Sequence, residues 1–584
     1  MNCVTDECAR RVGGPAQGRP RPPAARSVLL LLLVWPLVVL AETPNAAGIA
    51  SANHQATAAG FEILEQGGNA FDAAVAVSAA LSVVEPESSG LGGGGFFLLH
   101  RASDGKAVFV DARETAPMAA TRDMYLDAQG NAQRSRSTLG ALAAAIPGLP
   151  AGLVLVAERY GKLPLKQSLG PAIKLARDGF IWSAKNSAMI GYRTQQLAES
   201  SAAAKIYLRR GKPPAVGDRI RNPDLARVLE RLAAEGHRGF YQGKTARALV
   251  NGVRAAGGIW TIEDLTRYRA VEREPLRFQY RGQTILTAPP PSSGGIALVG
   301  LFQILSGYPL ADYSRVQRLH VEIEAMRRVY RDRAIYLGDP DFVDVPMEML
   351  LSPWYAAGLR ASIHTGKATP SDALPGISAT SEGTDTTHFS IIDADGNVAA
   401  VTQTVNLPFG ATVMAPGTGL MLNNEMDDFS VKPGIPNAFG LLGGDANAIE
   451  PGKRPLSSMT PTILLGDERV AALGSPGGSR IITMVFQGLS MVLDGKSAAE
   501  AVGAPRIHHQ YQPDSVSTEP GALSESESQS LTARGFTLTA AERPWGNMQV
   551  VVWNRKTGVV EAASDPRWKG VGGGESRDRG MIFR

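Results

Sequence analysis

Thr386-Thr387-His388-Phe389-Ser390 and the apolar runs that follow constrain this chain more than any other stretch. Ile391 and Ile392 lead into Asp393-Ala394-Asp395-Gly396-Asn397, and Val398-Ala399-Ala400-Val401 lead out of it. Apolar β-formers flanking an Asp-Gly turn predict a buried hairpin with hydroxyl groups at its head. β-branched threonines also suit strands for packing reasons alone, so the pair does not by itself announce chemistry. An interior threonine is a poor nucleophile. Cleavage of the Asp385–Thr386 bond would change that, because a free α-amino group, with a pKa of roughly 7.7–8.0, could act as general base for the hydroxyl on the same residue.

The first 41 residues stand apart. Arg10, Arg11, Arg19, Arg21 and Arg26 precede an apolar run of 13 residues, 28–40, and a small residue, Ala41, follows. That is the order of a signal peptide over 1–41. The run is shorter than the ~20 residues of a spanning helix, and Pro36 interrupts it. An exported protein, periplasmic or secreted and without a stable membrane anchor, is therefore expected. Of 59 basic and 55 acidic residues, five and two lie in this leader. The remainder is close to neutral and has no electrostatic footprint for nucleic acid. Both cysteines, Cys3 and Cys8, also belong to the leader, which leaves no disulfide, thiol nucleophile or cysteine metal site beyond it.

Downstream, apolar periodicity predicts helices at His54–Glu65 and Ala70–Val84, a largely helical region over 150–270 with a surface helix at 224–235, and a helix at 296–305. Residues 90–95 satisfy GxGxxG, but they follow a helix and precede the strand-like 96–99, the reverse of a dinucleotide fingerprint. They read as a tight packing or turn element. Residues 366–384 are rich in Ser, Thr, Gly and Pro and predict an exposed loop. Strands are expected at 461–465 and 469–473, and a helix at 480–493. Two helical regions flanking two runs of strands indicate stacked layers. The eight histidines contain no HExxH pair, and His508 and His509 are adjacent, so neither a metal nor a cofactor is expected. Residues 473–477 lack the first glycine of a nucleophile elbow.

Gly383-Thr384-Asp385-Thr386-Thr387-His388-Phe389-Ser390 resembles the processing site of the γ-glutamyltranspeptidases, also called glutathione hydrolases. The resemblance continues through Thr402-Gln403-Thr404-Val405-Asn406, Leu422-Asn423-Asn424-Glu425-Met426-Asp427-Asp428-Phe429, Pro455-Leu456-Ser457-Ser458-Met459 and Gly474-Ser475-Pro476-Gly477-Gly478-Ser479-Arg480. Upstream, residues 67–74, Asp111-Ala112-Arg113-Glu114 and Pro290-Pro291-Ser292-Ser293-Gly294-Gly295 are also similar to family segments. The resemblance implies an α+β fold, the four-layer αββα sandwich of N-terminal-nucleophile hydrolases. It further implies a proenzyme cut between Asp385 and Thr386 into a large chain, 42–385, and a small chain, 386–584, which form a heterodimer.

Thr386 would then supply nucleophile and base, with Thr404 orienting it from the return strand. Gly477-Gly478, between a strand and a helix, suits an oxyanion hole, although the same pattern makes an ordinary turn. The family's donor pocket, carried onto matching positions, assigns Arg113, Ser457 and Ser458 to an α-carboxylate and Asn406, Glu425 and Asp428 to an α-amino group. Without the resemblance, the acidic string around Glu425 would read as a solvated loop. The implied donors are glutathione and related γ-glutamyl compounds, and the implied acceptors are water, amino acids and dipeptides. A glutaryl or cephalosporin acylase on the same scaffold is the nearest alternative, and a binding protein that has lost catalysis a more distant one. Phe439 stands where the family carries a lid aromatic, often tyrosine, which leaves lid closure open.

Overall fold

The structure, a computed structural model, describes residues 43–375 and 386–582. The leader over 1–41, residues 376–384 of the expected loop, and Asp385 lie outside the described residues.

Alternation along the strands sets the architecture. In Gly94–His100, Phe97 and Leu99 join one buried apolar cluster, whereas Phe96 and Leu98 join another. In Val398–Thr404, Ala399 and Val401 divide from Val398 and Ala400 in the same way. Successive side chains of a strand point to opposite faces, so a strand that is apolar at every position has to be covered on both sides.

The first sheet runs, in spatial order, Gly573–Asp578, Ala46–Ser51, Thr387–Ile392, Val398–Thr404, Gly94–His100, Ala107–Ala112 and Val271–Arg273. The second runs Val560–Ser564, Gln549–Asn554, Arg469–Gly474, Thr462–Leu465, Gln283–Thr287 and Leu276–Tyr280. Neighbours in both are antiparallel. Helices His54–Glu65, Ala70–Val84 and Leu149–Tyr160 pack on the first sheet through one cluster. Gly294–Leu305, Arg315–Tyr336 and Ile481–Leu493 pack on the second through the other. The layers are therefore helix, sheet, sheet, helix, as expected.

Local chemistry explains the elements that carry the site. The Asp393 carboxylate accepts from the backbone N–H of Asp395 and Asn397, at 3.0 and 2.9 Å, and Gly396 takes the left-handed conformation that closes the turn, with φ of 84°. Asp393 also accepts from the N–H of Ala70 at 2.8 Å, so the hairpin turn docks on the start of the helix Ala70–Val84. Residues 90–95 are the expected packing element: a Cβ at Gly92 or Gly93 would lie 2.0 Å from the carbonyl oxygen of Met421 or Thr404. Only glycine lets the two backbones approach this closely.

Candidate active site

Thr386 is buried at the head of the strand Thr387–Ile392. His388 and Ser390 face the second sheet. His388 sits between the hydroxyls of Thr402 and Ser390, at 2.8 and 3.1 Å, and its ring packs on Gly474, where a Cβ would come within 2.3 Å of it. Burial lowers its pKa to about 3, so the ring is neutral and acts as a spacer between the sheets. On the opposite face Thr387 donates to Glu85 at 2.7 Å, and Glu85 in turn pairs with the buried Lys185 at 2.8 Å. The two residues that follow Thr386 are thus tied into opposite faces of the sheet.

Thr386 Oγ1 lies 3.4 Å from Thr404 Oγ1, the partner expected from the return strand. Thr404 Oγ1 also accepts from the N–H of Asn406 at 2.7 Å, and Asn406, with φ of 78°, donates its side chain to the carbonyl of Asn424 at 2.9 Å. Gly477 and Gly478 bridge the strand Arg469–Gly474 and the helix Ile481–Leu493 with φ of 140° and 57°. A short 3-10 turn, Gly478–Arg480, replaces the first residue of the helix expected at 480–493.

The six assigned donor-pocket residues line one small cavity with Thr386, Thr404 and Gly478. Arg113 is buried, and its guanidinium hydrogen-bonds Glu425 and Asp428 while Nε donates to the carbonyl of Pro455 at 3.1 Å. Glu114 lies 3.6 Å from the same guanidinium. The acidic string is accordingly not a solvated loop, because Glu425 is 1% exposed. Burial raises the pKa of Glu425 and Asp428 against the opposing pull of Arg113, and raises that of Glu114 to about 7. Ser457 and Ser458 are held by the Pro-Pro-Ser-Ser segment: Ser293 Oγ donates to the carbonyl of Ser457 and Ser292 Oγ to that of Met459, both at 2.7 Å. Ser458 Oγ has no hydrogen-bond partner and borders the cavity.

Several neighbours carried no motif. Arg333, on the helix Arg315–Tyr336, donates to Ser293 Oγ at 3.1 Å and lies in the field of Asp428. Asn437 donates to Asp428 at 2.9 Å, and the N–H of Ala438 to Asp427 at 2.8 Å. These bonds hold Phe439 with its ring over Gly478. Within this segment Asn437 Oδ1 accepts from the N–H groups of Phe439 and Leu441 at 3.0 and 3.1 Å. Among the described residues no group of His, Cys, Asp or Glu is arranged to hold a metal ion, and no helix is long and apolar enough to cross a membrane.

The family profile described as gamma-glutamyltranspeptidase matches residues 56–574. The chain belongs to this family. The glutathione hydrolase proenzyme of Pseudomonas sp. (strain A14) is 46% identical over 493 residues, 83% of this chain and 85% of that protein. Among solved structures, the cephalosporin acylase from Bacillus halodurans superposes with a TM-score of 0.80 at 27% identity, covering 97% of this chain and 99% of its own. A chain of the γ-glutamyltranspeptidase from Helicobacter pylori is 38% identical with a TM-score of 0.54, and 93% of it is covered by 55% of this chain.

Proposed function

We propose that this protein is a self-processing γ-glutamyltransferase and glutathione hydrolase that acts through Thr386. The observation that carries this is the position of Thr386 on the rim of a buried cavity whose charges, one guanidinium and two carboxylates, complement the zwitterionic head of a γ-glutamyl group. Arg113 pairs with Glu425 and Asp428. An arriving donor would exchange those bonds: its carboxylate takes Arg113 with Ser457 and Ser458, and its ammonium takes the two acids and Asn406.

Maturation would begin with attack of Thr386 Oγ1 on the carbonyl of Asp385. The C–N bond to Thr386 breaks as the ester forms, which frees the α-amine, and water then opens the ester to give the Asp385 carboxylate and the Thr386 hydroxyl. In turnover that amine takes the hydroxyl proton as Oγ1 attacks the γ-carbonyl, and Thr404 orients the hydroxyl. The N–H groups of Gly477 and Gly478 receive the oxyanion, and the departing amine takes the proton. Water or an acceptor amine then cleaves the γ-glutamyl ester and restores the Thr386 hydroxyl. The much shorter Helicobacter pylori chain matched by only part of this one supports a two-chain product. The leader supports export.

The test is a gel of purified protein with N-terminal sequencing of each band. Wild type should give two chains, the smaller beginning Thr386-Thr387-His388, whereas Thr386→Ala should remain one inactive chain. Efficient cleavage of the same bond in Thr386→Ala would overturn self-processing. The likeness to a cephalosporin acylase favours a second reading, a glutaryl or cephalosporin acylase; a glutaryl donor has no ammonium group for the two carboxylates to meet.

A further inference from the structure

The helix Arg315–Tyr336 turns one face to the donor cavity. Residues three and four positions apart share a helix face, and Tyr330, Arg333 and Ala334 all bond to segments that border the cavity. The Tyr330 hydroxyl donates to the carbonyl of Ser479, in the turn that begins at Gly478. Arg333 Nε donates to Ser293 Oγ at 3.1 Å and Nη1 to the carbonyl of Leu442 at 3.3 Å, and the carbonyl of Ala334 accepts from the N–H of Gly444 at 2.9 Å. Ser293 in turn holds the carbonyl of Ser457 through its hydroxyl and its N–H, at 2.7 and 2.8 Å. One guanidinium therefore joins the serine wall of the cavity to the segment that carries Phe439 and Leu441.

Joining two segments does not call for a charge. Arg333 is 4% exposed, and among the described residues its hydrogen bonds go to uncharged oxygens. Burying a guanidinium without a bonded carboxylate is costly, and a neutral donor could meet the same two oxygens. Burial lowers its pKa to about 10 while Asp428 pulls the other way, so Arg333 stays a cation at neutral pH. Asp428 accounts for that charge. It is faced by the cations Arg113 and Arg333, by the acids Glu114 and Glu425, and by Asp427 beside it, and it accepts from Asn437 at 2.9 Å. Arg113 serves Glu425 as well as Asp428. When a donor's carboxylate draws Arg113 away, Arg333 is the cation that stays in the field of Asp428.

We propose that Arg333 is a positioning residue for the donor head: its charge keeps Asp428 an anion while Arg113 turns to the donor's carboxylate, so that the site selects donors carrying an α-ammonium group. This rests on the γ-glutamyl reading above. The two duties of Arg333 are separable. Its bond to Ser293 serves any donor with a carboxylate, whereas its charge serves only a donor with an ammonium group for Asp428 to meet.

The mature two-chain enzyme is assayed with γ-glutamyl-p-nitroanilide and glutaryl-p-nitroanilide, which share a carboxylate and a leaving group and differ in the ammonium group. The ratio of their kcat/KM values cancels the Thr386 amine and reports the acids that meet the ammonium. Arg333→Gln should lower the ratio roughly tenfold, the equivalent of one pKa step at Asp428, mainly by raising KM for the γ-glutamyl donor, and Arg333→Lys should keep most of it. Removing a neighbouring cation raises a carboxylate pKa, so as pH falls the ratio should begin to drop at higher pH in Arg333→Gln than in wild type. Ser293→Ala, which removes the brace and leaves the charge, should slow both donors alike. A ratio that Arg333→Gln leaves unchanged, or that Arg333→Lys or Ser293→Ala lowers as much, overturns the role of the charge alone. If Arg333→Gln is not processed into two chains, Arg333→Lys decides: a ratio kept supports the proposal, and a ratio lost overturns it. Equal turnover of the two donors by wild type overturns the γ-glutamyl reading beneath it as well.

Discussion

Three buried carboxylates compete for the guanidinium of Arg113, and Glu114 competes least well. Neither of its oxygens has a hydrogen-bond partner, and Glu425 Oε2 has none either. Burial raises the pKa of Glu114 to about 7, so the folded protein holds a proton that the unfolded chain releases near 4.5. A group raised in the folded state favours folding fully below its unfolded pKa, and that contribution is lost as pH rises through the folded value. Thermal midpoints measured from pH 4.5 to 7.5 should therefore fall with rising pH, and Glu114→Gln should flatten that fall. Equal slopes in the two proteins would show that Glu114 is not the group responsible.

At the scale of the element, the turn between the strand Arg469–Gly474 and the helix Ile481–Leu493 does two jobs. It brings Gly477 and Gly478 to a helix start, where their N–H groups would receive an oxyanion, and it seats Phe439. At Gly478 an added Cβ would meet the Phe439 ring at 2.3 Å, and φ of 57° costs a non-glycine residue roughly 1–2 kcal/mol. Gly478→Ala is expected to lower kcat by roughly 10²–10³-fold, the cost of disturbing one oxyanion donor. Phe439→Ala in the same chain should relieve the clash and recover part of the thermal stability but little of kcat. Full recovery of kcat would mean that packing, and not the donor geometry, sets the rate. The position of this turn after a strand was readable from Leu473 to Gly478, but its aromatic cover was not, since Phe439 lies far from it in sequence.

At the scale of the whole molecule, the expected small chain does not sit beside the large one but inside its sheet. Thr387–Ile392 pairs with Ala46–Ser51, and Val398–Thr404 pairs with Gly94–His100. Cleavage before Thr386 would leave both ladders intact. The two chains should co-elute in gel filtration at the mass of the whole and separate only in denaturant. Separation under native conditions would contradict the shared sheet. The charged cavity, lined by residues from both sides of position 386, is also where the two acylase readings part. Glu425 and Asp428 suit a donor ammonium that a glutaryl group lacks, and a donor without it leaves buried carboxylates without that partner. γ-Glutamyl-p-nitroanilide should be turned over at least roughly 10²-fold better than glutaryl-p-nitroanilide. Asp428→Asn should narrow the gap mainly through the γ-glutamyl rate. Comparable kcat/KM values in wild type would favour the acylase reading.

The amino-acid sequence determined the features that close within a few residues. Asn53 and Asn69 cap the helices His54–Glu65 and Ala70–Val84, and the Asp393–Gly396 turn closes the hairpin, because each hydrogen bond spans only two to four positions. The order of helix and strand around 90–95, the reverse of a dinucleotide fingerprint, was also readable within a few residues. The four-layer fold needed more, since apolar strands declare that they are covered but not by which helices. Only the tertiary structure joined Arg113 to Glu425 across 312 positions, braced Ser457 with Ser292 and Ser293, and brought Arg333 to Ser293. Such contacts form when separate layers pack. Their energy resides in burial and charge complementarity between distant segments, and no local pattern records it.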